Sequence, residues 1–351
     1  MVSVKIIGAL GYGGVGMVEL LLRHPEVEIK RLVDVEYVGQ KISDVWPHLA
    51  GYCDLPISSP DDDTSGETDV VFCATPDGVG MRLAEAEVES GARVVDYSGD
   101  FRFDNPAVYA DYASRIGHSG DHSASGLLEK SAYGIAELHR NAIAKAPVVG
   151  NPGCFAVATT LGLAPVARER CADLTGLVSD AKTGVSGAGK KPNAVFHYPA
   201  RYDNMNAYKI AAHQHQFEIE RELALLAGDP VTVTLTTQVV PMCRGIMATL
   251  YGKLEEGWDR DTRLVDLYRD FYKNEPFVRV VGPDESACAA DVRGSNRCLV
   301  WINIDPHAGR FVVVSHIDNL MKGQAGSALQ NMNVMFGLEE TLGLNLPGSR
   351  P

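Results

Sequence analysis

The sequence lacks an excess of basic residues, any apolar run of bilayer length and any paired cysteine motif, and each absence removes a class of function. Its 351 residues carry 32 lysines and arginines against 45 acids, a formal net charge of −13. A surface that tracks phosphates needs the opposite balance, so neither nucleic acid nor an anionic membrane is an expected partner. No apolar stretch approaches the roughly 18 residues that would span a bilayer. The N-terminal MVSVKIIGALGYGG turns glycine-rich at once and has no small-residue cleavage site, so no secretory signal is expected. The seven cysteines (53, 73, 154, 171, 243, 288 and 298) are odd in number and form no C-x-x-C. They offer neither a disulfide framework nor zinc spacing, and no metal site is expected. Reduced thiols in a cytoplasmic protein, mostly buried as small apolar side chains, are the simplest expectation.

What is present is a chain long enough for about two domains, with 45% hydrophobic residues to fill their cores. Val4–Ile7 reads as a buried strand that runs into a glycine-rich turn. Apolar positions 15, 18, 21 and 22 then follow helical spacing until Pro25. Strands at Glu28–Val33, Asp69–Ala74 and Arg93–Val95, with a helix near 79–89, continue the alternation. Strand–helix–strand repetition of this kind specifies an α/β, doubly wound parallel sheet. Beyond residue 150, β-branched and alternating segments at Val231–Thr236, Gly245–Leu254, Cys298–Ile304 and Phe311–Ser315 predict a mainly antiparallel sheet with one or two helices, an α+β second domain. Ala325–Leu342 has helical spacing and is expected to return to the first domain. The predicted division is 1–150, 151–324 and a C-terminal helical segment 325–351. The acidic run Ser59–Thr68 reads as a solvated loop.

Gly8, Gly11 and Gly14, with Tyr12 and Gly13 between them, lie between a strand and a helix. Glycines there permit a tight turn and let a pyrophosphate approach amides at a helix N-terminus. A second loop, Thr75-Pro76, follows another strand and is expected to line the same crevice. Asp34, 20 residues past Gly14, ends the second strand, where an acid commonly bonds the ribose 2′-hydroxyl of NAD. Asp34 and Glu36 would both repel the 2′-phosphate of NADP.

One cysteine stands apart. Cys154 follows Asn151-Pro152-Gly153 and precedes a helical run, and a thiol at a helix N-terminus is stabilised as thiolate. A nucleophilic cysteine needs a base. His213 and His215 open a helical pattern, with His215, Ile219, Leu223 and Leu226 on one inward stripe; either could serve. Lys182–Lys191 fails the phosphate-loop pattern and reads as a flexible loop suited to an anionic substrate. Arg102, after the strand ending near Asp96, is a candidate phosphate clamp.

Together these segments resemble the N-acetyl-γ-glutamyl-phosphate reductases of the acyl-phosphate reductase and aspartate-semialdehyde dehydrogenase group. The stretches that carry the resemblance are Gly8–Gly14, His24–Glu28, Asp100-Phe101-Arg102, Tyr133–Leu138, Asn151–Cys154, Ser186–Gly189, His213–His215, Val240–Gly245, Asp318–Gly323 and Gln330–Asn333. They run along nearly the whole chain in the family's order. The resemblance implies a Rossmann-type first domain, NADP as cofactor, a homodimer or homotetramer, and reduction of an acyl phosphate through a cysteine thioester. It makes Cys154 the nucleophile and a histidine of the pair, His215 or His213, the acid–base. It adds Ser186, Gly187 and Asn319 to the cofactor contacts. For the substrate it adds Arg102, Asn151, Ser186, Lys190 and Arg244.

Three stretches depart from the family pattern. Asp34-Val35 replaces Ser-Arg and favours NAD. Phe155-Ala156-Val157 replaces Tyr-Pro-Thr, and Gln214 replaces arginine between the histidines, removing a positive charge near the substrate. A sister reductase acting on another acyl phosphate, succinylated or carrier-protein-linked, therefore stands beside the arginine-pathway reading. A Cys/His hydrolase or acyltransferase would leave the glycine turn idle, and a non-catalytic dinucleotide sensor would leave Cys154 without a role.

Overall fold

The computed structural model describes residues 1–62, 65–258 and 261–350, which form two compact units. The first unit comprises residues 1–152 and 324–345. Its strands are β1 (Val2–Ile7), β2 (Val27–Val33), β3 (Ile57–Ser58), β4 (Val70–Cys73), β5 (Arg93–Asp96), β6 (Ala132–Tyr133) and β7 (Val148–Gly150). They make one parallel sheet in the order β3-β2-β1-β4-β5-β7-β6. The expected doubly wound, Rossmann-like sheet is therefore present. Val4, Ile6, Val70, Val71, Phe72, Val94, Val95, Val148 and Val149 are all fully buried. Such continuous apolar runs follow from a parallel sheet covered on both faces. The helices α1 (Tyr12–Leu21), α2 (Ile42–Val45), α3 (Gly80–Glu89), α4 (Pro106–Arg115), α5 (Ser125–Leu128) and α6 (Ala136–Ile143) connect the strands. Of the acidic run after β3, Ser59–Asp62 is a turn, whereas Asp63 and Thr64 lie outside the described residues.

The second unit comprises residues 153–323 and 346–350. It opens with α7 (Cys154–Glu169), followed by β8 (Leu177–Thr183), α8 (Tyr198–Arg201), β9 (Asn206–Tyr208), α9 (His215–Ala227), β10 (Val233–Val239) and β11 (Ile246–Lys253). Then come α10 (Asp261–Tyr272), β12 (Val278–Val281), β13 (Cys298–Asp305) and β14 (Arg310–Ile317). The sheet order is β12-β13-β14-β11-β8-β10-β9. Its pairs are antiparallel except β12–β13 and β8–β10, so the sheet is mixed with an antiparallel majority. Burial alternates along β8, β10 and β11, as expected for a sheet packed on one face. The buried face carries α7: Thr159 bonds Ser179 at 2.9 Å, and a Cβ on Gly162 would fall 2.2 Å from Leu250.

The last helix, α11 (Gly326–Met335), belongs to the first unit and packs against α1, α6 and β5. It stops seven residues short of the expected Leu342. Gly337 takes a φ of +65°, and Leu338 and Leu344 continue the apolar pattern through turns instead of helix. Residues 346–350 do not follow α11. They lie in the second unit, where the Ser349 N–H donates to Arg293 O and Arg350 pairs with Asp291.

Candidate active site

In the first unit the glycine turn is built by close approach. A Cβ on Gly8 (φ +80°) would sit 2.4 Å from Ala74 O, and one on Gly14 would sit 2.2 Å from Gly8 O. Gly11 is different: a Cβ there would meet Gly8 O at an ordinary 3.6 Å. Gly11 caps α1 without a side-chain bond, and the first turn holds no acid. First-turn amides of a helix have no intrahelical acceptor, so this end suits an anion. Asp34 Oδ2 accepts the Leu10 N–H at 3.0 Å, while Oδ1 accepts those of Val35 and Glu36. The acid expected to meet a ribose thus also pins the turn to the end of β2.

The loop after β4 is held from below. Gly78 N–H donates to the Asp100 carboxylate, and Gly99 N–H and the Tyr112 hydroxyl donate to Asp77. Thr75 Oγ1, in that loop, is buried and has no hydrogen-bond partner among the described residues. An unsatisfied hydroxyl beside Gly8 fits a polar ligand. These residues therefore fit a dinucleotide. Arg102 is buried beneath this region: Nε donates to Asn151 O and a terminal nitrogen to Tyr97 O. The Asn151 side chain donates to Gln324 O and accepts from Asn331. Both expected substrate contacts therefore brace main chain within their own unit.

In the second unit, Gly153 caps α7 and Cys154 is its first helical residue, half-buried. The other cysteines depart in part from expectation. Cys53, Cys73, Cys171 and Cys298 are buried, but Cys243 and Cys288 are exposed. His215 begins α9, and its ring lies against Gly153: a Cβ there would fall 2.3 Å from Nε2. Only a glycine leaves room for the imidazole beside the cysteine. The His213 ring is 4.5 Å from that of His215, and Phe155 lies against both. His213 Nδ1 accepts the His215 N–H at 3.2 Å, which leaves the proton of a neutral ring on Nε2.

Sequence reasoning missed Glu218. It sits one turn beyond His215, fully buried; Oε2 accepts the Gly153 N–H at 3.0 Å and Oε1 lies 3.9 Å from His215 Nε2. The buried stripe of α9 is His215, Glu218, Ile219, Glu222, Leu223 and Ala227, with Leu226 only half-buried. Two carboxylates on an inward face were the available signal, since acids are almost never fully buried unless paired.

A cavity of about 230 Å³ adjoins the cysteine, lined by Cys154, Phe155, His213, His215, Tyr208, Lys209 and the Gly184–Ala188 turn among others. Burial raises the Tyr208 pKa above the usual phenol range, and the charge of Cys154 raises it further, so the phenol stays a proton donor near the sulfur. Behind the cysteine, a Cβ on Gly323 would fall 2.8 Å from Cys154 Cβ. Ser186 donates to Cys243 O and accepts from Asn319, whose Oδ1 takes the Gly245 N–H. The expected contacts Ser186, Gly187 and Asn319 are thus one cluster. Lys190 and Arg244 lie outside the cavity lining, and Arg244 pairs with buried Asp318 at 3.0 Å. No group of three metal-ligating side chains occurs among the described residues.

The semialdehyde dehydrogenase NAD binding domain model matches residues 3–146, and the semialdehyde dehydrogenase dimerisation domain model matches 154–319. Proteins called N-acetyl-gamma-glutamyl-phosphate reductase are 42% identical in Desulforudis audaxviator, over all of both chains, and 43% identical in Symbiobacterium thermophilum, over 98% of this chain and 97% of that one. The chain belongs to the semialdehyde dehydrogenase family. Among solved structures of that family, aspartate semialdehyde dehydrogenase II of Vibrio cholerae complexed with ASA has a TM-score of 0.70 at 17% identity, covering 96% of this chain and 98% of that one. The Candida albicans enzyme with NADP has a TM-score of 0.66 at 17% identity, with the same coverage of both chains. At that identity the likeness establishes the semialdehyde dehydrogenase fold. The family assignment makes this chain an oxidoreductase with an NAD(P)-binding domain.

Proposed function

We propose that the protein reduces N-acetyl-γ-glutamyl phosphate to N-acetylglutamate semialdehyde, a step of arginine biosynthesis, through a thioester on Cys154. The observation that carries this reading is a half-buried thiol at the head of α7 with the His215 imidazole packed on the preceding glycine. Full-length relatives named for that reaction support it. Cys154 thiolate attacks the acyl carbon; a C–S bond forms, the C–O bond to phosphate breaks, and inorganic phosphate leaves. A thioester accepts hydride far more readily than a carboxylate, which is the reason for covalent capture.

Gly8, Gly11, Tyr12, Gly13, Gly14 and Thr75-Pro76 of the first unit would hold the dinucleotide. Bound there, the nicotinamide supplies the hydride. His215 donates a proton to the oxygen as the carbon becomes tetrahedral and takes it back as the aldehyde forms and the C–S bond breaks. First-turn amides of α7 stabilise the developing oxyanion. His215 takes this role over His213 because His213 Nδ1 is already engaged by the helix.

NAD is the preferred cofactor on this reading, because Asp34 and Glu36 would meet a 2′-phosphate with like charge. The subunit contact is the half-exposed face of the second sheet, where Met247, Tyr251, Trp301, Val312 and Val314 lie. A homodimer is its minimal form, supported by the dimerisation-domain match. Seven free cysteines suit a reducing, cytoplasmic setting. Gln214, where the resemblance places arginine, favours a second reading in which another acyl phosphate is the substrate.

The test is a matrix of semialdehydes against NAD and NADP with phosphate present, read at the nicotinamide absorbance band. N-acetylglutamate semialdehyde with NAD should give the highest kcat/KM, Asp34→Ser should gain NADP affinity, and Cys154→Ser should lose phosphate-dependent turnover while binding cofactor normally. Turnover retained by Cys154→Ser would remove the nucleophile.

A further inference from the structure

The chemistry of the cavity beside Cys154 is uneven. Phe155, Phe196, Ala188 and Val239 make apolar wall, and Tyr208, His213 and His215 gather near the sulfur. Among the described residues of that lining, Lys209 alone carries a permanent positive charge. It is also held in an unusual way. Lys209 has a φ of +45°, and Ala211 follows at +51°, a left-handed conformation that residues with a Cβ adopt at a cost. This pair of kinks turns the chain between β9 and α9. The Lys209 Nζ donates to Gln214 Oε1 at 2.9 Å, which uses one of its three donors and ties the ammonium to the head of α9. An exposed lysine on an unconstrained loop would extend into water; this one is fixed on the wall of a pocket by backbone and side chain together. A neutral glutamine can orient it, whereas an arginine at that position would repel it.

We propose that Lys209, oriented by Gln214, anchors the α-carboxylate of the acyl substrate and so selects an amino-acid-derived semialdehyde over an uncharged aldehyde of the same length. The proposal rests on the reading of this cavity as the acyl-phosphate reductase site. Such a substrate is anionic at both ends. Its phosphoryl group departs from the carbon that Cys154 attacks, so that end belongs at the half-buried sulfur and the first-turn amides of α7. The carboxylate lies at the other end of the carbon chain, and Lys209 is the exposed cation of the lining. Local charge of this kind is what lets a chain of net charge −13 bind a ligand with anionic groups at both ends.

The experiment compares two aldehydes in the oxidative direction, with phosphate and cofactor saturating. One is N-acetylglutamate semialdehyde; the other is 4-acetamidobutanal, the same skeleton without the carboxylate. Lys209→Met should raise KM for the carboxylated aldehyde about 100-fold with kcat changed less than about threefold. KM for 4-acetamidobutanal and for phosphate should stay at the wild-type value, which also shows that the variant is folded. Lys209→Arg should keep most of the discrimination. Equal losses on both aldehydes, or a rise confined to the phosphate KM, would overturn the carboxylate anchor and leave the reductase reading standing. No turnover of either aldehyde by the wild-type protein would overturn that reading and the anchor with it.

Discussion

At the scale of single residues, the site depends on what is missing from Gly153. The hydrogen side chain leaves the space that His215 Nε2 occupies, since a Cβ would be 2.3 Å away. Gly153 has a φ of −70°, so alanine is tolerated by the backbone and the cost falls on the ring. Gly153→Ala should therefore still fold, with a melting temperature lowered by a few degrees from overpacking the ring, while kcat drops about 100-fold or more, the range that general acid–base catalysis contributes. Circular dichroism and steady-state kinetics on the same sample check both halves. An unchanged kcat would show that the imidazole does not work from that position. Cys154 was legible from its neighbours, because Pro-Gly ahead of a helical run marks a helix start. The need for glycine at 153 was not, because the atom it makes room for comes from α9, some sixty residues later in the chain.

Helix α9 shows what an element adds. Its sequence pattern predicted an inward stripe headed by His215, and the stripe exists, but Glu218 and Glu222 lie on it too. Glu218 joins the α7 cap to the His215 ring, accepting from Gly153 N–H and facing Nε2 at 3.9 Å. Glu218→Gln keeps an acceptor for Gly153 and removes the charge. A carboxylate 3.9 Å from Nε2 orients the ring that handles the proton, so its loss should reduce kcat about tenfold or more. A merely structural glutamate would lower the melting temperature and leave kcat unchanged, and steady-state kinetics beside thermal melts distinguish the two. The limits of the elements were less legible. The apolar spacing of Ala325–Leu342 persists past the helix because Leu338 and Leu342 stay half-buried beyond it, and a left-handed Gly337 ends the helix without interrupting the pattern.

For the molecule as a whole, acid stability offers a test in the second sheet. His316 on β14 is 2% exposed, and burial lowers its pKa to about 4 against a weaker raising by Asp291. The folded protein thus keeps this ring neutral in a range where the unfolded chain protonates it. Stability contributed by the neutral ring is present above about pH 6.5 and is lost as pH falls from there toward 4, by on the order of 3 kcal/mol. His316→Gln should flatten that part of the dependence, measured as urea midpoints at pH 7 and 4.5; an unchanged slope would mean that His316 protonates freely in the fold.

The amino-acid sequence by itself determined the two sheets and their character. Continuous runs such as Val70–Cys73 can be buried only between two layers, whereas alternating runs such as Ile246–Lys253 bury one face. It also determined the glycine turn and the cysteine at a helix head, since both are local consequences of backbone freedom and spacing. Tertiary structure alone decided which groups surround the sulfur. Gly323, Tyr208 and Lys209 reach Cys154 or its cavity and Glu218 reaches the preceding Gly153 from distant parts of the chain, and Arg102, Asn151 and Arg244 are engaged by remote neighbours. Helical and strand periods report which side of an element is buried. Which other side chain meets it there is set by packing, and no local pattern carries that information.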